Sequence, residues 1–103
     1  MDTYIIELKR GTLVLAVLSQ LKTPQYGYSL IETLNAHHIP IESGTLYPLL
    51  RRLEKQGLLN STWDTQENRP RKYYVLNDQG LLTLQALTKE WHLQTEHLKE
   101  ILL

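Results

Sequence analysis

Leu46, Leu49, Leu50 and Leu53 stand at i, i+3, i+4 and i+7 within Glu42 to Gly57, the segment ESGTLYPLLRRLEKQG. At about 100° per residue these positions form one stripe, which constrains the segment to an amphipathic helix with its leucines against a core. Its limits are readable as well. Ser43 or Thr45 can cap the first orphan amides, and Gly57 can take the left-handed conformation that closes a helix. Pro48 lacks an amide hydrogen and fits only in the first turn or just after it, so the helix begins near residues 43 to 45. With the leucines inward, Tyr47, Pro48, Arg51 and Lys55 point outward, flanked by Gly44 and Arg52. A face carrying a phenol and several cations suits an anionic polymer. A merely solvated charged face is the alternative that any surface helix offers.

At 103 residues the chain makes one domain with a modest core. Its formal net charge is zero, so only the distribution of charge can speak for a polyanionic partner. Residues 51 to 72 hold six basic against three acidic residues, whereas 1 to 50 hold three against four and 73 to 103 two against four. There is no cysteine, hence no disulfide framework and no thiolate metal site, which suits a reducing cytoplasm. Lys9 and Arg10 precede the apolar run Leu13 to Leu18, too short to span a membrane. A first helix over roughly Ile5 to Leu21 is expected, apolar nearly all round and so buried on more than one side, against the helix at 43 to 57 and a partner subunit.

Pro24 in KTPQYG ends that helix, and Leu30, Ile31 and Leu34 give the apolar stripe of the next. NAHHIP, residues 35 to 40, then links it to the leucine-striped helix; His37 and His38 lack a partner at ligand spacing and are expected as solvated loop residues. Leu58 to Trp63 and Arg71 to Asn77 are short apolar and aromatic runs around the turn-prone DTQENRP, a hairpin. Alternation puts Tyr74 and Leu76 on one face and Tyr73 and Val75 on the other; which face turns inward is open. Arg69, Arg71 and Lys72 crowd the tip beyond what Asp64 and Glu67 neutralise, and phosphate contact is the expected use. Asn77 or Asp78 caps a last helix from about Gln79 to Leu103. Leu84, Leu87, Trp91, Gln94, Leu98 and Ile101 alternate spacings of three and four along it, a seam that asks for another helix, most simply one from a second copy across a two-fold axis.

The segment SGTLYPLLRRLEKQGLL resembles the recognition-helix region of the PadR family, winged-helix transcriptional regulators named for a regulator of phenolic acid decarboxylase. YGYSLIETL, residues 26 to 34, is similar to the family's second helix, and RPRKYYVLNDQG, residues 69 to 80, to its second wing strand running into the last helix. Asn68 stands where the family often has glycine before Arg-Pro-Arg, and asparagine also tolerates positive φ. The resemblance implies a mainly α fold with a small β-hairpin wing: a winged helix-turn-helix DNA-binding domain over residues 1–77 and a dimerisation helix over 78–103. It further implies a homodimeric repressor that binds double-stranded DNA at a pseudo-palindromic operator.

The DNA contacts expected are Ser43, Thr45, Tyr47, Pro48, Arg51, Lys55, Arg69, Arg71 and Lys72. The dimer or effector surface expected is Leu84, Leu87, Trp91, Gln94 and Leu98. Short PadR-like proteins are similar in carrying an aromatic residue near the two-fold, so Trp91 is either seam core or the wall of a flat apolar cavity for a small planar aromatic ligand, with Gln94 to orient it. No catalytic residue, cofactor, metal or membrane is expected: no phosphate loop and no nucleophile beside a base occurs at motif spacing. His92 and Glu96 are expected as a solvated i, i+4 pair rather than a metal clip. The competing reading is a protein interaction module that dimerises through its last helix without specific DNA binding.

Overall fold

In a computed structural model, which describes residues 1–66 and 68–103, the chain runs α1 (Asp2–Arg10), α2 (Leu13–Ser19), β1 (Gln25–Tyr26), α3 (Gly27–Ala36), α4 (Ser43–Lys55), β2 (Leu59–Asp64), β3 (Arg71–Leu76) and α5 (Asp78–Leu102). The strands form one antiparallel sheet in the order β1-β3-β2. This is a mainly helical winged-helix architecture with a long last helix. None of the described helices is long and apolar enough to cross a membrane.

The single first helix expected over Ile5 to Leu21 is two helices. Gly11 loses more backbone freedom in a helix than any other residue, and the Thr12 hydroxyl bonds the Lys9 carbonyl at 3.2 Å, competing with the helical ladder. Thr12 leaves helical geometry at φ −109°, ψ 4°, and its carbonyl opens α2 by accepting from the Ala16 amide at 2.9 Å. Only α2 is buried, through Val17 and Leu18, and its main neighbours are α5 and α3 rather than α4. Helix α1 buries nothing and leaves Tyr4, Ile5, Ile6 and Leu8 exposed.

The core gathers Val17, Leu18 and Leu21 beside α2, Leu30 and Leu34 of α3, the four leucines of α4, Leu59, Tyr74 and Leu84. Helix α3 closes with His38 at φ 63°, a left-handed residue that lets the Ile39 amide reach back to the Leu34 carbonyl at 2.8 Å. The adjacent histidines therefore shape the turn into α4, and the His37 Nδ1–H donates to the Thr33 carbonyl at 3.0 Å. Gly57, at φ 83°, closes α4 as its position in the sequence suggests.

Pairing settles which wing face is inner. Tyr74 is buried and Leu76 packs on the core, whereas Tyr73 lies on the opposite face, edge-on to Tyr26 with ring centroids 5.5 Å apart. That contact comes from β1, where Gln25 and Tyr26 pair with Tyr74 and Tyr73. Two residues carry no period, so KTPQYG reads only as a break.

Asn77, not Asp78, caps α5: its side-chain oxygen accepts from the Gly80 amide at 2.9 Å, while its Nδ2 donates to the Gly57 carbonyl at 2.9 Å. One side chain thus ties the end of α4 to the start of α5. Leu84 and Leu87 pack on the chain's own core, so the first turns of α5 are physically part of the winged domain. Past Leu87 its last 15 residues, roughly 22 Å at about 1.5 Å per residue, are almost all exposed.

The dock is tight at Gly80, where a Cβ would collide with the Leu58 carbonyl and press on Leu76 at 3.0 Å. Gly80→Ala is expected to lower the unfolding free energy by about 1–3 kcal/mol, and Asn77→Ala by about 1 kcal/mol through the lost cap. Urea melts at fixed protein concentration measure both; unchanged midpoints would contradict the docked geometry.

Candidate nucleic-acid interface

The site grows from the leucine stripe. Leu46 and Leu50 are fully buried and Leu49 and Leu53 nearly so, which fixes the rotation of α4 and leaves Ser43, Gly44, Thr45, Tyr47, Pro48, Arg51, Arg52 and Lys55 exposed. The expected cap differs. Glu42 is the N-cap residue, with extended backbone and no side-chain cap bond, so Ser43 and Thr45 lie within the first turn. Their hydroxyls face solvent at a helix end whose first amides have no intrahelical acceptor, a geometry suited to an anion. Pro48 is the sixth helical residue; it removes the amide that would bond the Gly44 carbonyl, one turn inside the helix, where both residues are exposed.

Tyr47 is the member of this face with a second task. Its ring lies over Gly27 at the start of α3, so closely that a Cβ there would collide with the ring carbons and hydroxyl. The phenol is anchored between the two helices of the helix-turn-helix while 37% of the residue stays exposed.

Period-two alternation separates the wing cations. Arg71 shares the outer face with Tyr73, and its guanidinium sits 4.8 Å from the Tyr26 ring centroid. Lys72 shares the inner face with Tyr74; its Nζ is 3.5 Å from Glu54 Oε1 of α4 and 5.3 Å from the Tyr74 ring centroid. Arg69 is exposed in the turn, where Asp64 accepts the Gln66 amide at 3.0 Å. Glu67, expected to offset part of the tip charge, lies outside the described residues. The structure therefore brings Tyr47, Arg51 and Lys55 to one surface, presents Arg69 and Arg71 from the neighbouring hairpin, and turns Lys72 back towards α4. Sequence reasoning missed Tyr26, Gly27, Glu54 and Ser61, whose parts depend on contacts between elements. The one local hint was Glu54, an acid among the cations of α4.

Along α5 the expected seam divides. Leu84 is buried and Leu87 half-buried against the chain's own core, whereas Trp91, Gln94 and Leu98 are exposed, with 45% of Trp91 accessible. Trp91 borders an open groove of ≈ 610 Å³ between the end of α2 and α5, together with Lys22, Leu84, Thr88, Lys89 and His92. The wall available to a guest in this chain is thus partly cationic rather than wholly apolar, and Gln94 is not part of it. Glu96 pairs with Lys99 at 3.2 Å.

A model of the transcriptional regulator PadR-like family matches residues 14–86. A crystal structure of a PadR family transcriptional regulator from Eggerthella lenta is 50% identical and superposes with a TM-score of 0.94, covering 98% of this chain and 90% of that one. A PadR-like transcriptional regulator from Bacillus cereus is 29% identical, with a TM-score of 0.82 over 93% of this chain and 96% of that one. The transcriptional regulator Rv3488 of Mycobacterium tuberculosis is 35% identical over 77 residues, 75% of this chain and 69% of that protein.

The Tyr47 seat generates a test that needs no ligand. Gly27→Ala should displace the ring and cost about 1–3 kcal/mol, as overpacking does. Gly27→Ala combined with Tyr47→Ala should recover part of that loss, because the smaller side chain makes room. Equal losses in the single and double variants, by urea denaturation, would show that ring and glycine are independent.

Proposed function

The chain belongs to the PadR-like family of transcriptional regulators, and from that premise we propose that it is a sequence-specific DNA-binding repressor acting as a homodimer on a pseudo-palindromic operator. The observation that carries this reading is the exposed face of α4, whose Arg51 and Lys55 are held outward by four buried leucines. In the proposed complex α4 enters the major groove, with Tyr47 and Arg51 on bases or phosphates and Ser43, Thr45 and Pro48 near the backbone. Arg69 and Arg71 bring the wing to neighbouring phosphates. Repression, rather than activation, follows the family resemblance, and so does action in the cytoplasm.

The dimer is supported by apolar surface that one chain leaves uncovered: Leu98, Ile101 and Leu102 on α5, and Tyr4 and Leu8 on α1. Two α5 helices paired across a two-fold axis would bury the outer seam and set two copies of α4 one helical turn of DNA apart, or a multiple of it. A small planar aromatic effector stacking on the accessible Trp91 indole completes the proposal, since a ligand at that place would bias how the two subunits meet.

Binding to DNA fragments selected from the genome by the purified protein tests the central claim. Arg51→Ala should weaken operator binding by about 1–3 kcal/mol while the protein stays folded. The Arg69→Ala, Arg71→Ala double variant should shallow the slope of log affinity against log salt by about 1.8, at about 0.9 per phosphate contact. Binding indifferent to all three arginines would leave the interaction-module reading in place. For the dimer, Trp91→Ala should leave the protomer fold intact but move the monomer–dimer transition to higher protein concentration in sedimentation equilibrium. A dimer as tight as the parent's would remove Trp91 from the interface.

A further inference from the structure

Lys72 is one of three cations at the wing, yet its surroundings differ from those of the other two. Glu54, in the last turn of α4, receives a donor from each strand of the hairpin: the Lys72 ammonium on Oε1 at 3.5 Å from β3, and the Ser61 hydroxyl on Oε2 from β2. Register places Ser61 opposite Tyr74 and Trp63 opposite Lys72, so all four side chains share the hairpin face that turns towards α4. The ammonium also lies 5.3 Å from the Tyr74 ring centroid and 5.9 Å from that of Trp63. Tyr74 is buried in the core and gives Lys72 one fixed neighbour, whereas Trp63 is exposed.

We propose that Glu54 and Lys72 form a brace that sets the angle between α4 and the wing, making both of them positioning residues rather than phosphate ligands. The proposal rests on the DNA-binding reading, in which helix and wing must reach adjacent grooves together. An ammonium has three donors and no acceptor. Here it faces a carboxylate and two aromatic rings on the inner side of the hairpin, which turns its charge away from the outer face. The pair also cancels a carboxylate that would otherwise repel DNA close to Lys55. An ion pair with about a third of each side chain exposed (31% and 33%) adds little to global stability, so its removal perturbs geometry more than folding. What it restricts is the swing of a hairpin about its base, the motion that would uncouple wing contacts from helix contacts.

The sign of one substitution separates this brace from simple electrostatics. Glu54→Gln removes a negative charge near the proposed DNA surface, and point-charge attraction alone would then tighten binding. The brace predicts weaker operator binding instead, by about five- to tenfold, the low end of coupling between sites. The exchanged pair Glu54→Lys with Lys72→Glu keeps the net charge and should recover most of the loss, with Ser61 accepting instead of donating. Lys72→Gln should weaken binding with an unchanged salt slope. Tighter binding by Glu54→Gln, no recovery in the exchanged pair, or a slope shallower by about 0.9 in Lys72→Gln would overturn the brace and return Lys72 to the phosphates. Arg51→Ala, run alongside, reports on the DNA-binding reading by itself: parental affinity there defeats that reading whatever Glu54 does. Hydrogen exchange in the free full-length protein decides the brace without DNA. The β2 and β3 amides should exchange faster in Glu54→Gln and return towards the parental rate in the exchanged pair, and parental protection in Glu54→Gln would sink the proposal.

Discussion

Rotation of α4 about its own axis is the quantity on which the rest of this molecule depends. Each buried leucine side chain is worth about 1.5–3 kcal/mol relative to exposure, and four of them share one stripe. Turning the helix by one residue, about 100°, would draw that stripe out of the core, so the orientation is strongly specified. Everything outward on α4 then follows without further design: Arg51 and Lys55 face solvent because the leucines cannot. Tyr47 stands at the edge between the two regimes, and Gly27 supplies the room that lets its ring lie against α3.

The middle strand of the sheet carries a comparable burden in six residues. β3 pairs with β1 on one side and β2 on the other, and its alternation sends Tyr74 and Leu76 into the core while Tyr73 goes under Tyr26. The same period divides neighbouring cations between opposite faces. Arg71 goes to the Tyr26 side and Lys72 to the Glu54 side, which gives two adjacent basic residues different partners. A cluster of positive charge in sequence is therefore not a cluster in space. Its members have to be placed one at a time before any is assigned to a polyanion.

Helix α5 belongs to two environments. Asn77 caps it and holds the Gly57 carbonyl, Gly80 admits the Leu58 carbonyl, and Leu84 completes the core, so its beginning is fastened by short, specific contacts. Beyond Leu87 the helix leaves the domain with Trp91, Leu98 and Ile101 uncovered. Apolar surface on the described chain is concentrated there and on α1, a distribution that favours association over solvation.

The sequence by itself determined the elements whose signal is periodic or chemical. The α4 stripe, the closing Gly57, the hairpin between residues 58 and 77 and a last helix of about 25 residues were legible because helix and strand periods, and a glycine's tolerance of positive φ, act over a few neighbouring residues. The outward set on α4 followed from the same stripe. The break at Gly11 and Thr12 has a local cause as well, a glycine beside a hydroxyl bonded three residues back, although apolar periodicity joins the run across it. Two kinds of feature were decided only by tertiary structure. Strand β1, two residues long, exists only because β3 offers it a ladder. Tyr47 meets Gly27, Arg71 meets Tyr26 and Lys72 meets Glu54, which stand 20, 45 and 18 residues away in the chain, and no local rule reaches so far. The physical reason is common to both: a side chain's outward direction is set by its own backbone, whereas what it meets there is set by how separate elements pack.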